Sequence, residues 1–226
     1  MKSSLILSKG SLALLLAIIG TVTAFIGWRS SSDTSVQTPA EIEDYLFWEA
    51  RELTSFHLEA AGNKTFNLES LKGKWSFIFF GYTHCPDICP AALNVMGAVF
   101  NILESNPAIA AKIQGIFVSV DPKRDTPELL KKYVSYFNEG FSGVTGNPAQ
   151  VDTLTRQIGA LYFIDSKNVE DTGYDVTHNS TIFLVDPQGR LYGRFPQPQI
   201  PQTIADTFIK IHAFYHKQVE KRWSFF

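Results

Sequence analysis

Cys85 and Cys89 are the only cysteines in the 226-residue chain, and they lie in Gly81-Tyr82-Thr83-His84-Cys85-Pro86-Asp87-Ile88-Cys89-Pro90. A bridge between them would close too short a loop to constrain much of the unfolded chain, and a disulfide framework needs several spaced pairs. The pair is therefore suited to chemistry rather than scaffolding. Two thiolates side by side either oxidise to a disulfide or bind a soft metal ion. Oxidoreductases with a redox-active pair usually place two residues between their cysteines; this chain has three. The longer loop is compatible with two sulfurs converging on one ion and does not forbid a disulfide.

A metal needs more than two thiolates. Among the five histidines, His178 is the best third ligand, because Tyr174-Asp175-Val176-Thr177-His178-Asn179-Ser180 leads directly into the strand-like Thr181 to Val185. Two thiolates and one imidazole form a soft, low-coordinate donor set that suits copper in either oxidation state. Zinc would usually take a fourth ligand. His84 abuts Cys85 but is expected to point away from the site or toward solvent. His212 and His216 share a helix face at i, i+4, with no third ligand in view, which reads as a solvated face. His57 has nothing to recruit it.

The elements that must position these groups follow from the apolar pattern. Trp75 to Phe80 (WSFIFF) is a short apolar run, as in a strand buried on both faces. It leads into the cysteine loop, and Pro90 to Leu103 reads as a helix with proline in its first turn. At such a strand-to-helix loop, unpaired N–H groups and the helix dipole favour thiolate and are expected to lower the cysteine pKa. Ile113 to Val120 is the next buried strand. A helix follows from Thr126, where Asp125 and Glu128 have capping-box spacing and Pro127 sits just inside the start. Phe141 to Val144 reads as a brief strand and Ala149 to Ala160 as a helix, with weaker strands at Tyr162 to Ile164 and at 172–177. Thr181 to Val185, the turn Asp186-Pro187-Gln188-Gly189 and Arg190 to Arg194 read as a hairpin, and a last helix spans Pro201 to Lys217. This order, with a cysteine motif between the first core strand and its helix, predicts an α/β thioredoxin-like fold: a central mixed β-sheet flanked by helices. In that arrangement the loop bearing His178 packs against the cysteine loop.

Ahead of the domain, Gly10 to Trp28 carries no charge. As a helix rising about 1.5 Å per residue it spans roughly 28 Å, close to a bilayer's hydrocarbon thickness. Lys2 and Lys9 precede it, whereas Asp33, Glu41, Glu43 and Asp44 follow Arg29, so the positive-inside rule keeps the N-terminus cytoplasmic and sends the rest across. The expected organisation is a short cytoplasmic N-terminus (1–9), a transmembrane anchor (10–28), a linker and lead-in (29–54) whose residues 41–53 read as a short helix, and the thioredoxin-like domain (55–226). Val22-Thr23-Ala24 also resembles a signal-peptidase site; either reading puts the domain outside the cytoplasm. The formal net charge is −2, and the absence of any basic run excludes an electrostatic nucleic-acid surface.

Three stretches together, GYTHCPDICP at 81–90, VSVDPKRDTPELL at 118–130 and YDVTHNSTIFLVDPQGRL at 174–191, resemble the Sco family (SenC and PrrC in bacteria), copper chaperones for cytochrome c oxidase assembly. The likeness covers roughly residues 55–215, and an N-terminal anchor fits the family's architecture. It implies one copper ion, Cu(I) or Cu(II), held by Cys85, Cys89 and His178. It also implies a copper-receiving oxidase subunit or another extracytoplasmic cuproprotein as partner, with a copper donor or a thioredoxin-like reductant as further partners. Family members are thought to deliver copper to the binuclear site or to adjust the thiols that hold it, so a metallochaperone, a thiol–disulfide reductase acting through Cys85 and Cys89, and a redox or copper sensor all stay open. Asp87 matches the family's acidic residue between the cysteines, and Asn179 departs from the Ser or Thr often found after the histidine. Asp121, Arg124 and Asp125 match a family loop, but the expectation for them is helix capping and surface charge.

Overall fold

The computed structural model describes residues 18–23, 37–164, 176–178 and 180–223. The chain divides into two units, Met1–Thr38 and Pro39–Phe226. In the first, residues 18–23 form helix α1, where the Thr21 and Thr23 hydroxyls donate to the carbonyls of Ile18 and Ile19. Most of the expected span 10–28 lies outside the described residues, among which no helix is long and apolar enough to cross a membrane.

The second unit runs α2 (Ala40–Glu43), β1 (Leu46–Glu52), β2 (His57–Ala60), β3 (Lys64–Asn67), a 3-10 turn (Leu68–Leu71), β4 (Trp75–Gly81), α3 (Ile88–Leu103), α4 (Pro107–Ala110), β5 (Ile113–Ser119), α5 (Pro127–Ser135), β6 (Ser142–Thr145), α6 (Pro148–Ile158), β7 (Tyr162–Ile164), β8 (Val176–His178), β9 (Ile182–Val185), β10 (Arg190–Phe195) and α7 (Pro201–Trp223). Eight strands form one sheet in the order β1-β10-β9-β4-β5-β6-β2-β3, and β7 and β8 form a separate antiparallel pair. At its centre β4, β5 and β6 are parallel, while β9 joins β4 and β10 joins β9 antiparallel. This is the expected thioredoxin-like mixed sheet. Its continuous apolar strands follow from burial on both faces: every residue of β4 is buried.

Residues 41–53 depart from the expected single helix. Only Ala40–Glu43 is helical, and Leu46–Glu52 becomes an edge strand paired antiparallel with β10. Tertiary pairing overrides local propensity here: Phe47 offers its ring to Arg51 and Arg194, whose guanidinium carbons stand 4.5 Å and 5.7 Å from its centroid. The stretch at His57, strand-like in the sequence, is β2; its hairpin with β3, which extends the sheet beyond β6, does not show in the apolar pattern because both strands are short and half exposed.

The core is strongly aromatic. Trp75 meets Tyr192, Phe208 and Tyr215 edge-on at 5.5, 5.6 and 4.9 Å, and Phe77 joins Phe100, Phe195 and Phe208. These contacts fix α3 and α7 over the sheet, since aromatic pairs add directional energy to the area they bury. The β9–β10 turn forms as expected. Asp186 is fully buried; its Oδ1 accepts from the Gln188 and Arg190 N–H groups and its Oδ2 from the Arg190 guanidinium, while Gly189 takes φ +81°.

Candidate metal centre

β4 ends at Gly81, and the next residues turn into α3, which begins at Ile88 rather than Pro90. Cys89 therefore lies inside the first helical turn, while Cys85 sits on the preceding loop. The loop closes with the Cys85 N–H donating to the Tyr82 carbonyl at 3.3 Å. One N–H of the helix terminus, that of Cys89, donates to Cys85 Sγ at 3.4 Å. Helix starts leave such donors without intrahelical partners, and here the donor is aimed at sulfur.

The two thiols differ in environment. Cys85 is half-buried and Cys89 is fully buried. Burial, above all, pushes the Cys89 thiol up; a backbone hydrogen bond from Tyr82 opposes this, and the charge of Cys85 and its hydrogen bond to Cys89 add to the rise. The expected lowering of the cysteine pKa is thus reversed at Cys89, because desolvation outweighs the helix terminus. A bound cation would supply the missing positive charge and deprotonate the thiol.

Gly81 makes this burial possible. A Cβ there would lie 2.5 Å from Cys89 Sγ and 2.9 Å from Phe117 Cε2, so the sulfur rests against bare backbone.

The loop is held from below by the segment after β5. The Val120 N–H donates to the Gly81 carbonyl at 2.9 Å. Asp125, fully buried, accepts from the Thr83 N–H at 3.0 Å and from the hydroxyls of Thr83 and Ser119. Asp125 is therefore not the cap of α5. Thr126 caps that helix, accepting from the Leu129 N–H at 3.2 Å, and this leaves the Asp125 carboxylate for the cysteine loop. Asp121 is not surface charge either. It is buried and paired with Arg124, whose guanidinium carbon stands 5.5 Å from the Tyr82 ring centroid. The only sequence signal for these roles was their place in the 118–130 motif, since an acidic residue beside a helix start also suits capping.

His84 is half exposed, and its Nδ1 faces Thr83 Oγ1 at 3.1 Å and Asp125 Oδ1 at 3.9 Å, so the ring turns to the loop's own clamp. Asp87 is the exposed N-cap residue of α3, with no side-chain cap bond. Tyr133, on α5, was not anticipated. Its ring meets Phe117 at 5.6 Å, and its hydroxyl is buried without a hydrogen-bond partner among the described residues. Burial, then the charges of Cys89, Cys85 and Asp125, pushes its phenol up.

His178 ends β8, in a strand rather than a loop, opposite Tyr162 of β7. The backbone of β8 comes within 8 Å of β4, the strand that delivers the cysteines. Asn179 lies outside the described residues. His57 is exposed on β2, and His212 and His216 are on α7, away from the cysteine loop.

Two sulfurs in hydrogen-bonding reach, one reachable from solvent and one backed by glycine, form a pre-arranged soft donor pair that can take an ion or a second sulfur.

The profile of the SCO1/SenC family matches residues 49–213. A SCO2-like protein of Rickettsia felis is 36% identical over 155 residues, which are 69% of this chain and 74% of that protein. The structure of Bradyrhizobium japonicum ScoI with copper bound is similar with a TM-score of 0.60 and 35% identity, over 68% of this chain and 96% of that one. Yeast Sco1 with copper bound gives a TM-score of 0.65 and 31% identity, over 71% of this chain and 87% of that one. The chain belongs to the SCO1/SenC family.

Proposed function

We propose that this protein binds one copper ion through Cys85, Cys89 and His178 and passes it by ligand exchange to the copper-receiving subunit of cytochrome c oxidase or to another extracytoplasmic cuproprotein. The observation that carries this reading is the sulfur pair itself: a half-buried Cys85 receiving a helix N–H, beside a buried Cys89. The two copper-bound Sco structures similar to this chain support the choice of ion. The approach of β8 to β4 supports His178 as the third ligand. In this reading residues 10–28 anchor the chain in the membrane with its N-terminus cytoplasmic, and the domain works on the far side, where a recipient can reach the half-buried Cys85.

The test loads the reduced full-length chain with Cu(I) or Cu(II) and measures bound copper, absorption and EPR for wild type, Cys85→Ala, Cys89→Ala and His178→Ala. One thiolate-ligated copper per wild-type chain, with a sulfur-to-copper charge-transfer band, and weakening of that band in all three variants are expected. Copper binding unchanged in His178→Ala would remove the three-ligand site.

A second reading, a thiol–disulfide reductase, draws support from the same asymmetry. A half-buried Cys85 can attack a partner's disulfide, and Cys89 then resolves the mixed disulfide, releasing the partner reduced. That activity survives His178→Ala but not loss of either cysteine.

A further inference from the structure

On α7, His212 and His216 stand one turn apart, and their rings meet with centroids 4.5 Å apart. Their Nε2 atoms face each other at 3.3 Å. The same ring nitrogen of both residues thus points at one place in space. A metal bound by two imidazoles at about 2.0–2.1 Å, with an angle between square-planar and tetrahedral, separates the two nitrogens by about 2.9–3.4 Å. The observed spacing falls within that bite.

The pair is also backed by fixed structure. The His212 ring lies against Trp75, with centroids 6.5 Å apart, and against Phe208 at 6.1 Å. His216 is exposed and leans on Tyr215, at 6.2 Å and 90°. One ligand is held by the aromatic core and the other borders solvent, so binding would immobilise one imidazole rather than two, and waters can complete the coordination. Burial, with His216 beside it, also keeps His212 below the usual imidazole range, which leaves its nitrogen neutral near pH 7.

We infer that His212 and His216 form a second, two-imidazole binding site for a divalent transition metal, separate from the cysteine loop. Imidazole donors favour Cu²⁺ over Ni²⁺ and Zn²⁺. In the metal-free protein, one Nε2–H donates to the other Nε2; on binding, that proton moves through solvent to Nδ1 of its own ring, so both imidazoles stay neutral and both Nε2 lone pairs face the cation. His212 lies beside Trp75, where β4 begins, whereas the cysteine loop follows Gly81 at its other end. At about 3.3 Å per residue this puts the two sites roughly 20 Å apart along the strand, too far to share an ion.

The test uses the full-length chain in detergent with Cys85→Ser and Cys89→Ser, so that the thiols neither bind nor reduce the probe, Cu²⁺. Calorimetric titration and low-temperature EPR are recorded for this parent, for the parent with His216→Ala, with His212→Asn, and with Lys217→Ala as a neighbouring control. The parent should bind Cu²⁺ with nuclear modulation from two imidazoles. His216→Ala and His212→Asn should each weaken binding at least tenfold, and Lys217→Ala should leave it unchanged. His216 is exposed, so its variant stays folded even if His212→Asn disturbs the contact with Trp75. Unchanged affinity in His216→Ala, a one-imidazole signal in the parent, or no Cu²⁺ binding would each overturn the site. Because the cysteines are absent throughout, these outcomes leave the proposed thiolate site untouched.

Discussion

The Asp125 clamp gives the sharpest test of how the cysteine loop is held. Asp125 accepts three hydrogen bonds in a fully buried place: from the Thr83 N–H, the Thr83 hydroxyl and the Ser119 hydroxyl. Asp125→Ala removes all three acceptor contacts. The two hydroxyls can rotate toward other acceptors, but the Thr83 N–H cannot, and an orphaned buried donor costs about 1–3 kcal/mol. With the lost hydroxyl bonds, the expected cost is about 3 kcal/mol, on the order of 100-fold in the unfolding constant. Asp125→Asn should cost only about 1 kcal/mol, since its oxygen can replace Oδ2 while its amide donates to a rotated Thr83 hydroxyl. Denaturant unfolding of the full-length chain in detergent measures both. A double-mutant cycle with Thr83→Val should show non-additivity, because the two side chains touch directly. Amide exchange should show Thr83 losing protection in Asp125→Ala ahead of the core strands. Asp125→Ala within about 0.5 kcal/mol of wild type, with Thr83 protection intact, would refute the idea that this carboxylate anchors the loop.

Other outcomes follow from the same geometry. Gly81→Ala drives a methyl into Cys89 Sγ and Phe117, so it should cost about 1–3 kcal/mol in denaturant unfolding and weaken copper binding with it; wild-type affinity in a folded variant would contradict the close approach. Because burial raises the Cys89 thiol, that thiol is protonated at pH 7 and must lose its proton to bind metal. Apparent copper affinity should therefore rise with pH, by about tenfold per unit for this proton, and competition titrations at pH 6, 7 and 8 that gave a flat profile would count against it. Tyr133→Phe removes a buried hydroxyl without a partner among the described residues, so it should be neutral or stabilising by up to about 1 kcal/mol; a clear loss on thermal unfolding would mean the hydroxyl has a partner.

The central strands of the sheet and their helices were legible because they are apolar or periodic and well punctuated. Trp75–Gly81, Ile113–Ser119 and Ile182–Val185 are apolar runs ended by turn chemistry, and Pro127 marks a helix start. The strand β1 was not legible, because its partner β10 lies over a hundred residues away and local pattern favoured a helix. At the site, the cysteine pair stood out by residue type and spacing. The supporting residues did not, since the same letters fit blander roles. Asp125 sits where a cap would sit, and only the structure shows Thr126 taking that job. The direction of the Cys89 shift was missed for a related reason. The helix start is visible in sequence, whereas a sulfur lying on Gly81, with Phe117 close by, is not.

The unequal placement of the two sulfurs gives this centre a direction in time. Any incoming nucleophile, whether a recipient's thiol or imidazole, meets Cys85 first, because Cys89 is walled in by the start of α3 and by Gly81. In the proposed exchange this face sets one order: the outer sulfur would let go or be attacked early, and the inner one would hold until the transfer is nearly complete. Under that proposal the pair acts as a hinge with one free leaf, so a change at the inner sulfur would alter how firmly an ion is retained, and a change at the outer one how fast it could be passed on.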